Sequence, residues 1–245
     1  MTAAPAPGRP TGVGSRVRAL LALDGRVATT TLTVFGYFIV SVSFLVCLVP
    51  AVLFQLVIGW QPTHLALWLG AASLLTLAPA IFALLRSTRR LIDEGADAQA
   101  GRLFWVSLRS GCRTLAWAAV GSSAIVLLLG YDLALFGGSD AMLLFAAGAA
   151  AVLVVLLISV CVVSAGATTS LRPIETLTLA ARAVARRPHI ALSWLLLIVL
   201  GVGIATLPLI GAPVALFLPA LLGAAVHICN DALRLPVTDE TRPTS

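Results

Sequence analysis

The sequence predicts an all-α fold: a polytopic membrane helical bundle of six transmembrane helices paired as three hairpins, with amphipathic cytoplasmic helices before helices 3 and 5. Three observations predict it. Of 245 residues, 60% are apolar and only 11% charged, where a soluble domain carries roughly 25% charged residues. The mean hydropathy is +1.04, which makes lipid the expected solvent. Uncharged stretches also recur at multiples of the ~20 residues a helix needs to cross about 30 Å of hydrocarbon.

Between Arg26 and Arg86 no side chain is charged. The run is broken at Gly59, Trp60, Gln61, Pro62 and Thr63, turn formers with an interfacial aromatic, so it divides into spans over 35–58 and 64–85. A third span covers 114–131, bounded by Arg113 and by Tyr131 with Asp132. Gly137, Gly138, Ser139 and Asp140 form a turn, and a fourth span runs over 141–164. The stretch between His189 and His227 is too long for one crossing, and Gly211, Ala212 and Pro213 divide it into spans 190–209 and 213–228.

All 16 basic residues are Arg, against 10 acids, for a net charge of +6. They lie beside apolar spans and not on a separate basic domain, so they speak for topology and against nucleic-acid binding. Every Arg falls before helix 1, between helices 2 and 3, between helices 4 and 5, or after helix 6. The positive-inside rule then puts both termini in the cytoplasm. The Lys-free, Ala-rich composition fits a GC-rich bacterium and its inner membrane. Residues 1–14, rich in Pro and Gly and lacking an apolar core, are expected to be a disordered cytoplasmic tail and not a cleavable signal. Residues 15–232 form one membrane domain, and 233–245 a polar cytoplasmic tail.

The cytoplasmic connections carry helical periodicity. At about 100° per residue, Arg102, Arg109 and Arg113 share one stripe while Phe104, Trp105, Leu108 and Cys112 gather on the opposite side. Over 174–187, Glu175, Arg182 and Arg186 form one stripe, and Ile174, Leu177, Ala181 and Val184 the other. The pair Arg109 and Arg113 recurs 73 residues later as Arg182 and Arg186, each leading into a hairpin. The repeating unit is therefore an amphipathic helix plus two crossings, a parallel repeat, with a weaker third copy over Ser15 to Asp24. These basic stripes are candidate contacts for a cytoplasmic partner or for anionic lipid headgroups, beside the plainer account of solvated faces with snorkelling Arg.

No catalytic, cofactor or metal residue is predicted. None of the six spans holds a charge at mid-depth, where ion-coupled transport commonly places one. Ser41, Ser43, Gln55, Ser73, Thr76, Ser122, Ser123 and Ser193 are the polar groups in or near the spans, and most are expected to bond their own helix's carbonyls. Pro50, Pro79, Pro208 and Pro219 are candidate helix kinks in helices 1, 2, 5 and 6. Ala147 with Ala151 and Gly201 with Ala205 offer close helix approach. His227, Cys229 and Asp231 match no zinc spacing and read as helix-end polar groups. Asp93, Glu94 and Asp97 balance Arg89 and Arg90. No disulfide is expected among Cys47, Cys112, Cys161 and Cys229. Phosphate-binding glycine loops, nucleophile elbows and HExxH are missing.

The stretch Pro79 to Arg86 (PAIFALLR), a charged connection, Phe104 to Arg109 (FWVSLR), Arg113 to Trp117 (RTLAW) and the outer Tyr131, Asp132 and Leu133 resemble the YesL-like family of bacterial membrane proteins. The chain departs from it in carrying Ser41 where many members have an Asn. The resemblance implies a multi-pass protein linked with carbohydrate uptake and supplies no catalytic residue. Two readings follow. One is a non-enzymatic accessory component associated with a transporter such as a sugar ABC importer. The alternative is a permease for a small neutral or amphiphilic solute along the kinked helices. A permease subunit of ABC type is disfavoured, since Glu94 to Arg109 (EGADAQAGRLFWVSLR) lacks the full EAA-type pattern. Homo-oligomers remain compatible with either reading.

Overall fold

The computed structural model describes residues 26–95, 99–137, 139–166, 172–208 and 211–232. The tails 1–14 and 233–245, the third repeat copy over Ser15 to Asp24, and Asp97 lie outside them. Among the described residues all regular structure is helical: α1 Arg26–Val57, α2 His64–Ser73, α3 Leu77–Glu94, α4 Ala100–Thr114, α5 Ala116–Phe136, α6 Asp140–Gly166, α7 Pro173–Arg186, α8 Pro188–Ala205 and α9 Gly211–Ala232.

Among the described residues six spans are long and apolar enough to cross a bilayer, α1, α2 with α3, α5, α6, α8 and α9, and the chain is an all-α, multi-pass membrane protein. The expected amphipathic helices are present as α4 and α7, before the third and fifth spans. The two remote ends of the bundle are marked by polar contacts. At one, His64 Nδ1 meets the Tyr131 hydroxyl at 2.8 Å. At the other, Arg89 meets Asp231 at 2.8 Å. Up-and-down tracing from these marks returns α9 to the end where α1 begins.

The second span departs from the single helix expected over 64–85. It is broken at Leu74–Thr76, where the amides of Leu74 and Leu75 and then Leu77 reach back only three residues, to Ala71, Ala72 and Leu74. Pro79 is the cause: with no N–H to offer, it leaves the Leu75 carbonyl without its helical donor. Pro50 and Pro219 lie inside α1 and α9. Pro208 does not. α8 ends at Ala205, so Pro208 sits in the turn beyond it, the usual place for a proline after a helix C-terminus.

Lipid tails are as apolar as the helix faces, so helices in a bilayer are held by close packing and hydrogen bonds more than by hydrophobic burial. The inner part of the molecule reflects this. α3 packs against α1, α4, α6 and α9 and brings small residues to them, with Ala78, Ala80 and Ala83 fully buried. It separates two apolar clusters. One joins Val40 and Cys47 of α1 with Leu84, Leu91, Phe104 and Ala220. The other joins Phe82 and Leu85 with Leu115, Cys161, Trp194 and Val226. α9 packs on α1 as well as on α8, so the first and third hairpins interlock. Of the small pairs, Gly201 is buried, and a Cβ there would lie 2.8 Å from Leu218. Ala147 is exposed.

Candidate functional site

By the up-and-down tracing, α4 and α7, which carry the two arginine stripes, fall at the end of the bundle marked by Arg89 and Asp231. α4 leaves α3 through Gly95 and Gln99, both at positive φ (61° and 36°), and folds back along it. Ala100, Phe104, Ser107 and Gly111 form its buried stripe. Gly111 permits the contact, since a Cβ there would stand 3.0 Å from Phe82 and 3.3 Å from Pro79. Arg102, Arg109 and Arg113 lie on the opposite side, exposed. The apolar side expected from the wheel needs correction: Phe104 is buried, but Trp105 is 49% exposed and Cys112 is exposed too. These two lie about 100° round the helix from the packed stripe.

α7 repeats the arrangement. Pro173 opens it, and Glu175 accepts a hydrogen bond from the Arg172 amide at 3.2 Å in the manner of a capping box. Thr176 and Ala180 face the bundle, while Arg182 and Arg186 are exposed. Here too the expected apolar face is only partly packed: Val184 is half-buried, whereas Ile174 is 76% exposed and Leu177 and Ala181 are exposed. Ala180 stands 73 residues after Ser107, the offset of the Arg pairs, and both are small residues buried against the preceding span. Each helix meets the next span through one residue, Leu115 and Arg187 respectively.

Arg89 bridges Asp93 (3.2 Å) and Asp231 (2.8 Å), and Arg90 pairs with Glu94 (2.8 Å). The local charge balance expected for Asp93 and Glu94 is thus observed, with Asp231 added from α9. His227 Nε2 lies 2.7 Å from the Leu85 carbonyl. Among the described residues no three His, Cys, Asp or Glu side chains are grouped as metal ligands.

Polar groups within the spans are used to hold helices together. Ser41 Oγ donates to the Phe217 carbonyl (3.1 Å) and accepts from the Ala220 amide (3.0 Å), on either side of Pro219. Thr76 Oγ1 donates to the Cys47 carbonyl of α1 at 3.0 Å, one residue from the Val46 carbonyl that Pro50 deprives of a donor. Ser123 donates to the Ala71 carbonyl at the helix break, and Cys161 Sγ lies 3.5 Å from the Ala78 carbonyl. Ser73, Ser122 and Ser193 bond their own helices, as expected; Ser41, Thr76 and Ser123 do not. These three hydroxyls are visible in the sequence but their partners are not: Thr76 stands three residues before Pro79, whereas nothing local marks Ser41 or Ser123. Ser87 Oγ, Ser107 Oγ, Trp194 Nε1 and Asn230 Oδ1 are buried without a hydrogen-bond partner among the described residues.

No family model, curated protein or solved structure matches this chain.

Proposed function

We propose that the chain is a non-enzymatic accessory protein of the bacterial inner membrane that associates laterally with a solute-transport system, a carbohydrate importer of ABC type being the first candidate, with its arginine-bearing end in the cytoplasm. The observation that carries this reading is the use of span hydroxyls as interhelical ties at the proline sites and the helix break. Broken-helix carriers keep polar groups at the break free to meet solute, and at these proline sites and this break the hydroxyls of Ser41, Thr76 and Ser123 are spent on backbone. The resemblance to the YesL-like family supports the link to carbohydrate uptake. Large apolar side chains on α6 and α8, such as Leu144 and Leu196, offer lateral contact within the membrane.

Photo-crosslinking from positions 144 and 196 in native membranes tests the reading. Capture of a transporter subunit is expected; capture of lipid and second copies alone overturns it.

The second reading, a permease for a small neutral or amphiphilic solute, draws on one observation, the break at Leu74–Thr76 within a span, since broken helices line many transport sites. Solute uptake by vesicles containing only this chain would establish it in place of the first.

A further inference from the structure

We infer that the two helix elbows, α4 into α5 and α7 into α8, are binding sites for the phosphate headgroups of anionic phospholipids, one site per repeat.

The depth of each elbow follows from helix length. α8 has 18 residues and α5 has 21, which at 1.5 Å per residue gives about 27 Å and about 31 Å, the thickness of the hydrocarbon layer. Neither helix has length to spare, so its first residue must lie at the boundary of the hydrocarbon. Arg113 precedes α5 by three residues and Arg186 precedes α8 by two. The single-residue junctions leave no slack by which these side chains could move away from the headgroup layer.

The chemistry at each elbow suits a phosphate. Arg109 with Arg113, and Arg182 with Arg186, stand four residues apart on exposed helix faces, so each pair has Cβ atoms about 6 Å apart and two guanidinium forks can converge on one phosphate. None of the four makes an ion pair among the described residues, whose ion pairs involve Arg89 and Arg90. The only acid on either stripe, Glu175, is at the far end of α7 and bonds the Arg172 amide.

A lipid, and not a free anion, is indicated by what flanks the arginines. Between the packed stripe and the basic stripe, α4 exposes Trp105, one turn before Arg109, and α7 exposes Leu177, five residues before Arg182. Apolar side chains beside basic ones at the hydrocarbon boundary are the pattern of helices that meet headgroup and acyl chain together.

The test uses the full chain reconstituted in vesicles with spin-labelled phosphatidylglycerol or phosphatidylcholine, reading the ratio of the two among protein-bound lipids. A ratio of several-fold in favour of phosphatidylglycerol is expected, with about fivefold per arginine as the ceiling. R109Q/R113Q and R182Q/R186Q should each lower it, and all four together should bring it near unity. R90Q, at an arginine off both stripes and already paired with Glu94, should leave it unchanged. Retention of the ratio in the fourfold variant overturns the inference, as does an equal loss with R90Q. If millimolar inorganic phosphate removes the preference where chloride at the same ionic strength does not, the sites take free phosphate and the lipid assignment falls. The four side chains are exposed, and thermal unfolding of each variant checks that the bundle is intact. The inference does not depend on association with a transporter.

Discussion

The hydroxyl of Ser41 accepts a hydrogen bond from the amide of Ala220 at 3.0 Å, the residue after Pro219, while donating to the Phe217 carbonyl at 3.1 Å. One fully buried side chain of the first span thus occupies the proline site of the last. Irregular backbone at membrane depth is tolerated only where something satisfies its polar groups, and Ser41 supplies both a donor and an acceptor.

Ser41→Ala should therefore destabilise the bundle by about 1–3 kcal/mol, the cost of leaving buried polar groups unpaired. That exceeds the ~0.6 kcal/mol average of interhelical side-chain hydrogen bonds in membranes, because one hydroxyl serves two backbone groups beside Pro219. Ser122→Ala, which removes a bond within one helix, is the control and should stay within about 0.5 kcal/mol. Equilibrium unfolding in mixed detergent micelles measures both, and equal stabilities would refute the pinning role.

The α3–α4 contact depends on the absence of a side chain at Gly111. Gly111→Val should cost about 1–3 kcal/mol by overpacking against Phe82 and Pro79. Gly121→Val, where a Cβ meets nothing within 4 Å, should be close to neutral. Melting temperatures in detergent distinguish them; a matching loss at both sites would show that the α3–α4 approach is looser than described.

The Arg89–Asp231 pair ties α3 to α9, but the two side chains are 45% and 58% exposed. Water screens such a pair, so a double-mutant cycle with Arg89→Ala and Asp231→Ala should return a coupling of about 0.2–1 kcal/mol that shrinks with salt. A coupling of several kcal/mol would show that the pair is shielded by lipid or by a partner.

Orientation is open to a labelling experiment. In a background without native cysteines, Gln61→Cys should react with a membrane-impermeant maleimide added to intact cells, and Arg90→Cys only after permeabilisation. The reverse pattern would contradict the positive-inside assignment.

The turns of this chain were legible where local chemistry is decisive, while the break at Leu74–Thr76 was not. Trp60, Pro62 and Thr63 announced the turn between the first two spans, and Thr63 does cap α2 by accepting from the Ala66 amide at 3.3 Å. Helix ends were less legible: α1 begins at Arg26 and α3 continues to Glu94, beyond the 35 and 85 that hydrocarbon thickness alone suggests. A helix does not stop at the hydrocarbon boundary when neighbours such as α4 continue to pack against it. The wheel for α4 located the arginine stripe but merged two apolar sides into one, because periodicity separates polar from apolar without saying which apolar residues meet protein.

Composition and spacing by themselves determined that this protein is a six-span helical bundle with two arginine-striped helices, since the bilayer demands about 20 apolar residues per crossing and charge cannot enter cheaply. Which helices touch was decided only by tertiary structure. In lipid every apolar face is equally content, so the choice falls to small residues such as Ala80 and Gly111 that allow close approach, and to hydroxyls such as Ser41 and Thr76 that find backbone partners in distant segments.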